Sequence, residues 1–241
     1  MNVFTGTSGF AYKEWKGTFY PEDLPDAKML AYYAEHFRAV EINNTFYRMP
    51  SEKVLLDWSA QVPEPFRFVL KTPRRITHIK RLKEVDDAVE YLLHASACLG
   101  EQRGPFLVQL PPNLKIEVER LKRFLGLLPP AAPVAFEFRH ESWFDESTYD
   151  ALRAHNAALC IAHMEEAEGA VQTPFVATAD WGYLRLRKVQ YAEGELEDWA
   201  RRLRQQSWSA AFVFFKHEDE GTGPKLAKRF EQVLATGSTG S

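Results

Sequence analysis

Hydrophobic and polar positions along the chain alternate between two periods. Short runs with apolar residues on every second position predict strands over 3–7, 39–43, 67–72, 106–110, 134–139, 158–162, 182–187 and 211–216. Between them, apolar residues recur at three- and four-residue spacing, as Leu30, Tyr33, Ala34 and Phe37 do. That period predicts helices over 27–37, 52–61, 85–99, 117–127, 146–155, 196–205 and 224–234. The stretch 164–179 carries only weak helical patterning. Strands alternating with helices predict an α/β protein with a parallel sheet. Eight of them in 241 residues predict a single (β/α)8 TIM-type barrel over 1–235, with its site at the C-terminal mouth of the strands. A doubly wound open sheet is the alternative, but it normally places a glycine-rich phosphate loop after the first strand. Gly6-Thr7-Ser8-Gly9 is too short for that fingerprint. Residues 236–241 read as a flexible polar tail.

The two parities of these strands differ in kind. One carries Val40 and Ile42, Phe68 and Leu70, Val108 and Leu110, Phe136 and Phe138, Leu184 and Leu186, Val213 and Phe215. Those positions suit the layer between barrel and helices. The other parity offers Glu41 and Asn43, Lys71, Gln109, Glu137 and Arg139, Arg185 and Arg187, and Lys216, all near carboxyl ends. In a closed parallel barrel that parity faces the axis, so independent strands aim polar groups at one place. Lys71, Arg139, Arg185 and Lys216 outnumber Glu41 and Glu137. Unpaired buried charge is costly, so an external anion (phosphate, sulfate or carboxylate) would complete the set. A structural ion-pair network with water at the barrel top explains the same residues without a ligand.

The loop after the third strand adds Arg74, Arg75, His78, Lys80, Arg81 and Lys83 without an acid. It would extend a phosphate-binding surface, or it is a solvated charge run. Phe10, Tyr12, Trp15, Phe46, Tyr47 and Trp143 occupy loops on the same side. They could stack on a base or sugar, or simply pack the loops down.

Composition narrows the partners. A net charge of −3 gives no global pull toward nucleic acid or anionic membrane, so anion binding must come from local cations. No apolar run approaches ~20 residues, which leaves no membrane span. The opening residues lack the charged-then-apolar layout of a signal peptide, and Cys98 and Cys160 form no metal-spaced pair. Free buried thiols suit a reducing cytosol, so a cytoplasmic location is expected.

A family resemblance emerges from ordered motifs. Gly6-Thr-Ser-Gly9-Phe10 with Tyr12, Trp15 and Gly17, then Phe19-Tyr20-Pro21, resembles the opening of the YecE-like proteins (domain of unknown function 72). Glu41-Ile-Asn43-Asn44-Thr45-Phe46-Tyr47-Arg48, Phe68-Val-Leu-Lys71, Ile76-Thr77-His78, Gln109-Leu-Pro111-Pro112 and Phe136 to Trp143 continue the match over nearly the whole chain. The resemblance implies a TIM-type barrel, similar in fold to the metal-using endonuclease-IV and sugar-isomerase enzymes. Many members have His-Gly after the seventh strand and paired asparagines after the eighth, where this chain has Arg187-Lys188 and Lys216-His217-Glu218-Asp219. The sixth strand of the family often ends in an acid, and here it offers His163. A subgroup with a more cationic mouth is the expectation.

For acid–base chemistry the candidates are Glu137 with His140, assisted by Glu41. A glutamate beside Arg139 should be held ionised, which makes it a base or orienter and not an acid. His140 is the group suited to proton transfer near neutral pH. Lys71, Arg139 and Arg185 would fix an anionic substrate, with Asn43, Gln109, Tyr47, Trp143 and Lys216 completing the binding set. No cofactor is predicted. The metal alternative uses Glu41, Glu137, His163 and His217, against the absence of His-x-His or His-Glu-x-x-His spacing and the nearby cations. Three functions follow: an enzyme (hydrolase, lyase or isomerase) on a small phosphate-bearing ligand, a nucleic-acid-binding barrel without chemistry, or a metal-dependent hydrolase or isomerase.

Overall fold

A computed structural model of the chain describes residues 1–165, 171–216 and 221–236. Eight parallel strands, β1 (Asn2–Ser8), β2 (Ala39–Ile42), β3 (Arg67–Lys71), β4 (Arg103–Gln109), β5 (Val134–Glu137), β6 (Ala158–His163), β7 (Trp181–Leu186) and β8 (Ala210–Phe215), close into one ring in chain order. The last strand pairs with the first over six residues, from Asn2↔Ala210 to Thr7↔Phe215. The helices that follow the strands are α1 (Met29–Ala34), α2 (Glu52–Ser59), α3 (Asp86–Ser96), α4 (Val118–Leu125), α5 (Glu146–Arg153), α6 (Glu193–Arg204) and α7 (Thr222–Thr236). This is the α/β (β/α)8 architecture expected from the alternation of periods.

Two of the helices start at a side-chain cap. Ser51 caps α2 by accepting the Val54 N–H at 3.5 Å, and Asp145 caps α5 by accepting the Ser147 N–H at 2.9 Å. The connection from β6 to β7 contains no helix among its described residues, in keeping with its weak pattern. There the Thr178 hydroxyl accepts the Leu159 N–H and donates to the Ala157 carbonyl, both at 2.8 Å, and so satisfies backbone that a helix would otherwise cover.

The alternating parity sorts the core into two compartments. Val40, Phe68, Val108, Phe136, Leu184 and Val213 point outward into the main core under the helices. Phe4, Ala39, Val69, Leu107, Ala135, Ala158, Cys160, Trp181, Tyr183, Phe212 and Phe214 fill the barrel interior. The interior is solid at the amino end of the strands, where Phe4 stacks on Phe212 at 4.8 Å. Small residues matter where strands approach. A Cβ on Gly6 would stand 1.9 Å from the Ala39 carbonyl oxygen, so only glycine permits the β1–β2 pairing there. None of the described helices is long and apolar enough to cross a membrane.

Candidate functional site

Above the apolar plug, the next layer of inward positions is polar. Strand register sets it: Ser8 pairs with Glu41, Gln109 with Glu137, and Ala162 with Arg185. The side chains that follow converge on Arg185, which is fully buried and joins the two carboxylates. Its Nη2 donates to Glu41 Oε1 at 2.7 Å and its Nη1 donates to Glu137 Oε2 at 2.5 Å.

Glu41 is saturated with donors. Ser8 Oγ donates to it at 2.8 Å, Asn43 Nδ2 at 3.2 Å, and the Tyr183 hydroxyl at 2.6 Å. Burial alone would raise its pKa, but the Arg185 charge and the Tyr183 and Ser8 hydrogen bonds outweigh it and hold the carboxyl below its usual range. Glu137 behaves the same way. Burial pushes it up, and the opposing charges of Arg185, Arg139 and Arg187 with a bond from Gln109 hold it well below the carboxylate range. Arg139 Nε donates to Glu137 Oε1 at 3.0 Å, and Arg187 Nη1 lies 3.7 Å from the same oxygen. Both acids are therefore permanent anions at neutral pH. Tyr183 moves in the opposite direction, its pKa raised by burial and by Glu41, so it stays protonated as a donor.

Nearer the rim stands Lys71, at the end of β3 and half-buried. Its Nζ lies 4.5 Å from the centroid of the Phe46 ring. Burial and the neighbouring Arg185 lower its pKa to about 8, against the pull of Glu41 and Glu137. His78 also packs edge-on against Phe46, with centroids 4.9 Å apart, and bonds Thr77 Oγ1 at 2.8 Å. Burial and the charges of Lys71 and Arg139 lower its pKa too. His78 sits in a π turn, Arg75–Ile79, and the loop then passes through left-handed backbone at Arg81, Leu82 and Glu84. Such irregular helical turns and strained residues gather at functional sites.

Several predicted residues thus meet: Glu41, Asn43, Lys71, Gln109, Glu137, Arg139 and Arg185. Lys216 follows β8 directly, half-buried on the inward parity of Phe212 and Phe214. Tyr47 stands at the rim, 74% exposed, against Phe46. Others are placed elsewhere. Trp143 is completely buried on the outer side, stacked on Phe138 at 4.7 Å, and its Nε1 donates to the Leu114 carbonyl at 2.7 Å; it cannot meet a ligand in the mouth. Trp15 is likewise buried packing.

His140 does not couple to Glu137. The carboxylate turns inward to its arginines, while His140 Nδ1 accepts the Ser142 N–H at 3.2 Å and caps a short turn. The Glu137 oxygens are taken up by Arg139 and Arg185, with Arg187 close by. Three residues absent from the predicted set belong to the site: Arg187, Tyr183 and Ser8. The parity pattern already placed Arg187 inward, but Tyr183 and Ser8 read as ordinary core and loop.

Among the described residues, the metal ligands suggested by fold analogy do not assemble. Glu41 and Glu137 spend their oxygens on guanidinium and hydroxyl donors, and His163 faces outward between Tyr191 and Trp199. His217 lies outside the described residues. Among those described, no three His, Cys, Asp or Glu side chains come together to hold a metal ion, and the described residues do not fit one.

The fold and its mouth define an α/β barrel with a polar, cation-rich cluster at the C-terminal end of the strands. Comparison with known proteins carries this further. Residues 4–240 match the family described as "Protein of unknown function DUF72", and the chain belongs to that family. It is 24% identical to UPF0759 protein YunF of Bacillus subtilis, across 96% of this chain and 94% of that one. It is 36% identical to UPF0759 protein YecE of Escherichia coli K12, in a match spanning 46% of this chain and 42% of the relative, less than half the length of each. Among solved structures, a DUF72 family protein from Thermotoga maritima superposes with a TM-score of 0.87 at 28% identity, covering 98% of this chain and all of that one. A second, from Enterococcus faecalis, has a TM-score of 0.76 at 20% identity and shares the fold.

Proposed function

We propose that the barrel mouth binds a small anionic, phosphate-bearing ligand and acts on it as an enzyme. The observation that supports this is a charge imbalance. Lys71, Arg139, Arg185 and Arg187 face Glu41 and Glu137, four cations against two anions, and Lys216 joins them from β8. Arg185 is consumed by the two carboxylates. Arg139 uses only its Nε on Glu137 and is a third exposed, so its terminal nitrogens are free among the described residues to form a bidentate contact with an oxyanion. The buried acids serve as a rigid base that aims these cations. Such preorganised charge is what stabilises an anion developing in a transition state.

The test is thermal denaturation with inorganic phosphate, phosphorylated sugars, nucleotides and a single-stranded oligonucleotide, on the native chain and on Arg139→Ala. Phosphate or a phosphorylated compound should raise the Tm of the native chain, and the variant should lose that rise. No shift with any phosphorylated compound, or an equal shift in both proteins, would sink the reading. Stabilisation by the oligonucleotide alone, collapsing steeply with salt, would instead favour the nucleic-acid barrel, for which exposed Tyr47 and the basic loop provide the surface.

A further inference from the structure

We propose that Lys71 is a reactive amine that condenses with the carbonyl group of an anionic aldehyde or ketone, forming an imine at the barrel mouth. This deepens the anion-site reading and rests on it. The inference starts from an imbalance around one side chain. A half-buried lysine kept for structure normally pairs with a carboxylate, yet among the described residues none lies within ion-pair distance of Lys71. The two acids in reach of its field are already committed, Glu41 to Arg185, Tyr183 and Ser8, and Glu137 to Arg185 and Arg139. What touches the amine is the face of Phe46.

The groups facing it come from every side of the mouth. β2 presents Glu41, β5 presents Glu137, Arg139 follows that strand, β7 presents Arg185, and the loop after β3 presents His78. Burial and the two arginines disfavour the ammonium more than the two carboxylates favour it, so a substantial fraction of the amine is neutral near pH 8. Desolvation beside other cations is the recognised way to make a lysine nucleophilic. Arg139, which also disfavours the ammonium, attracts the substrate's negative group, which places its carbonyl beside the amine.

The step balances without any oxidant or reductant. The neutral Nζ lone pair attacks the carbonyl carbon; the C–N bond forms as the π pair moves onto oxygen. One proton passes from nitrogen to that oxygen, giving a carbinolamine. A second proton, taken from solvent, converts the hydroxyl to leaving water, and the nitrogen lone pair closes the C=N bond. The resulting iminium is an electron sink adjacent to the substrate's α-carbon, which suits lyase or isomerase chemistry.

The experiment uses pyridoxal 5′-phosphate as an anionic aldehyde probe, pyridoxal as its phosphate-free counterpart, and borohydride to add hydride to any imine and fix it as a secondary amine. Peptide mapping locates the label. The peptide containing Lys71 should be labelled at least about tenfold faster at pH 8 than an ordinary lysine of pKa about 10.4. Its labelling should be half-maximal near pH 8, slower with pyridoxal, and slowed by inorganic phosphate. Arg139→Ala, which keeps the amine, should slow labelling by the anionic probe more than labelling by pyridoxal, and Lys71→Arg should abolish that labelled peptide. Label spread evenly over surface lysines, or equal rates with both probes, overturns the inference. If phosphate still stabilises the native chain while Lys71 stays unlabelled, the amine is refuted and the anion site survives. Failure of both removes the site altogether.

Discussion

At the scale of single residues, Arg185 decides whether the mouth exists. A buried guanidinium that bridges two buried carboxylates is neutralised only by them, and each carboxylate in turn depends on it. Removing one partner of such a cluster strands uncompensated charge, which costs roughly 3–5 kcal/mol. Arg185→Met should therefore lower the unfolding free energy by about that amount in urea titrations. A change below about 1 kcal/mol would mean the acids find other partners, and the cluster would be looser than its distances imply. The sequence already located Glu41, Lys71, Gln109, Glu137 and Arg185, because each lies inside a strand where strict alternation decides which way a side chain points. His140 and Trp143 lie past the end of β5, where alternation no longer holds, and each turned to a local partner: a backbone N–H and a carbonyl. His163 obeys the alternation and takes the outward parity of β6, beside Trp199.

At the scale of elements, close packing between β1 and its neighbours contrasts with an exposed helix start. In β1, an added Cβ at Gly6 meets the Ala39 carbonyl at 1.9 Å, and Tyr33 Oη, itself bonded to that carbonyl and to the Thr7 N–H, at 2.8 Å. Nothing there is a flexible side-chain tip, so Gly6→Ala should open the β1–β2 seam and abolish soluble folded protein or lower Tm by more than about 10 °C. In α6, Gly194 has nothing within 4 Å of its would-be Cβ. Gly194→Ala should leave the fold intact and add up to about 1 kcal/mol from helix propensity, read from the same denaturation curves. Similar Tm values for the two variants would contradict this account of the packing. Strand and helix positions were readable from period alone, whereas element ends were not. β5 stops at Glu137 and α1 at Ala34, each short of the predicted range, because the last residues leave the regular ladder for the mouth or a turn.

At the scale of the whole molecule, ring closure is what makes the acids strong. Glu41 and Arg185 are 144 residues apart in sequence and 2.7 Å apart in space. Unfolding separates them, so both carboxyls return from depressed values toward about 4.3. Groups with depressed folded pKa values add stability that is fully present above the unfolded pKa and is lost as pH falls below it. The stability contributed by these two carboxyls should be constant from neutral pH down to about pH 5 and then be lost steeply toward pH 2. The fall should be shallower in Glu137→Gln, measured by urea unfolding at each pH. Equal slopes would show that Glu137 titrates normally and that its arginines are not close in solution.

The amino-acid sequence by itself determined the alternation of two periods, and with it the eight-stranded barrel, the split between outward apolar and inward polar faces, and the excess of cations at the carboxyl ends. These are local properties, written in the spacing of residues a few positions apart. Only the tertiary structure decided which of those charges neutralise one another. Pairing between β2, β5 and β7 depends on strand register and ring closure, and no spacing along one strand encodes it. That closure gave Glu137 three arginine neighbours, and among the described residues it left Lys71 facing an aromatic ring with no acid within ion-pair distance.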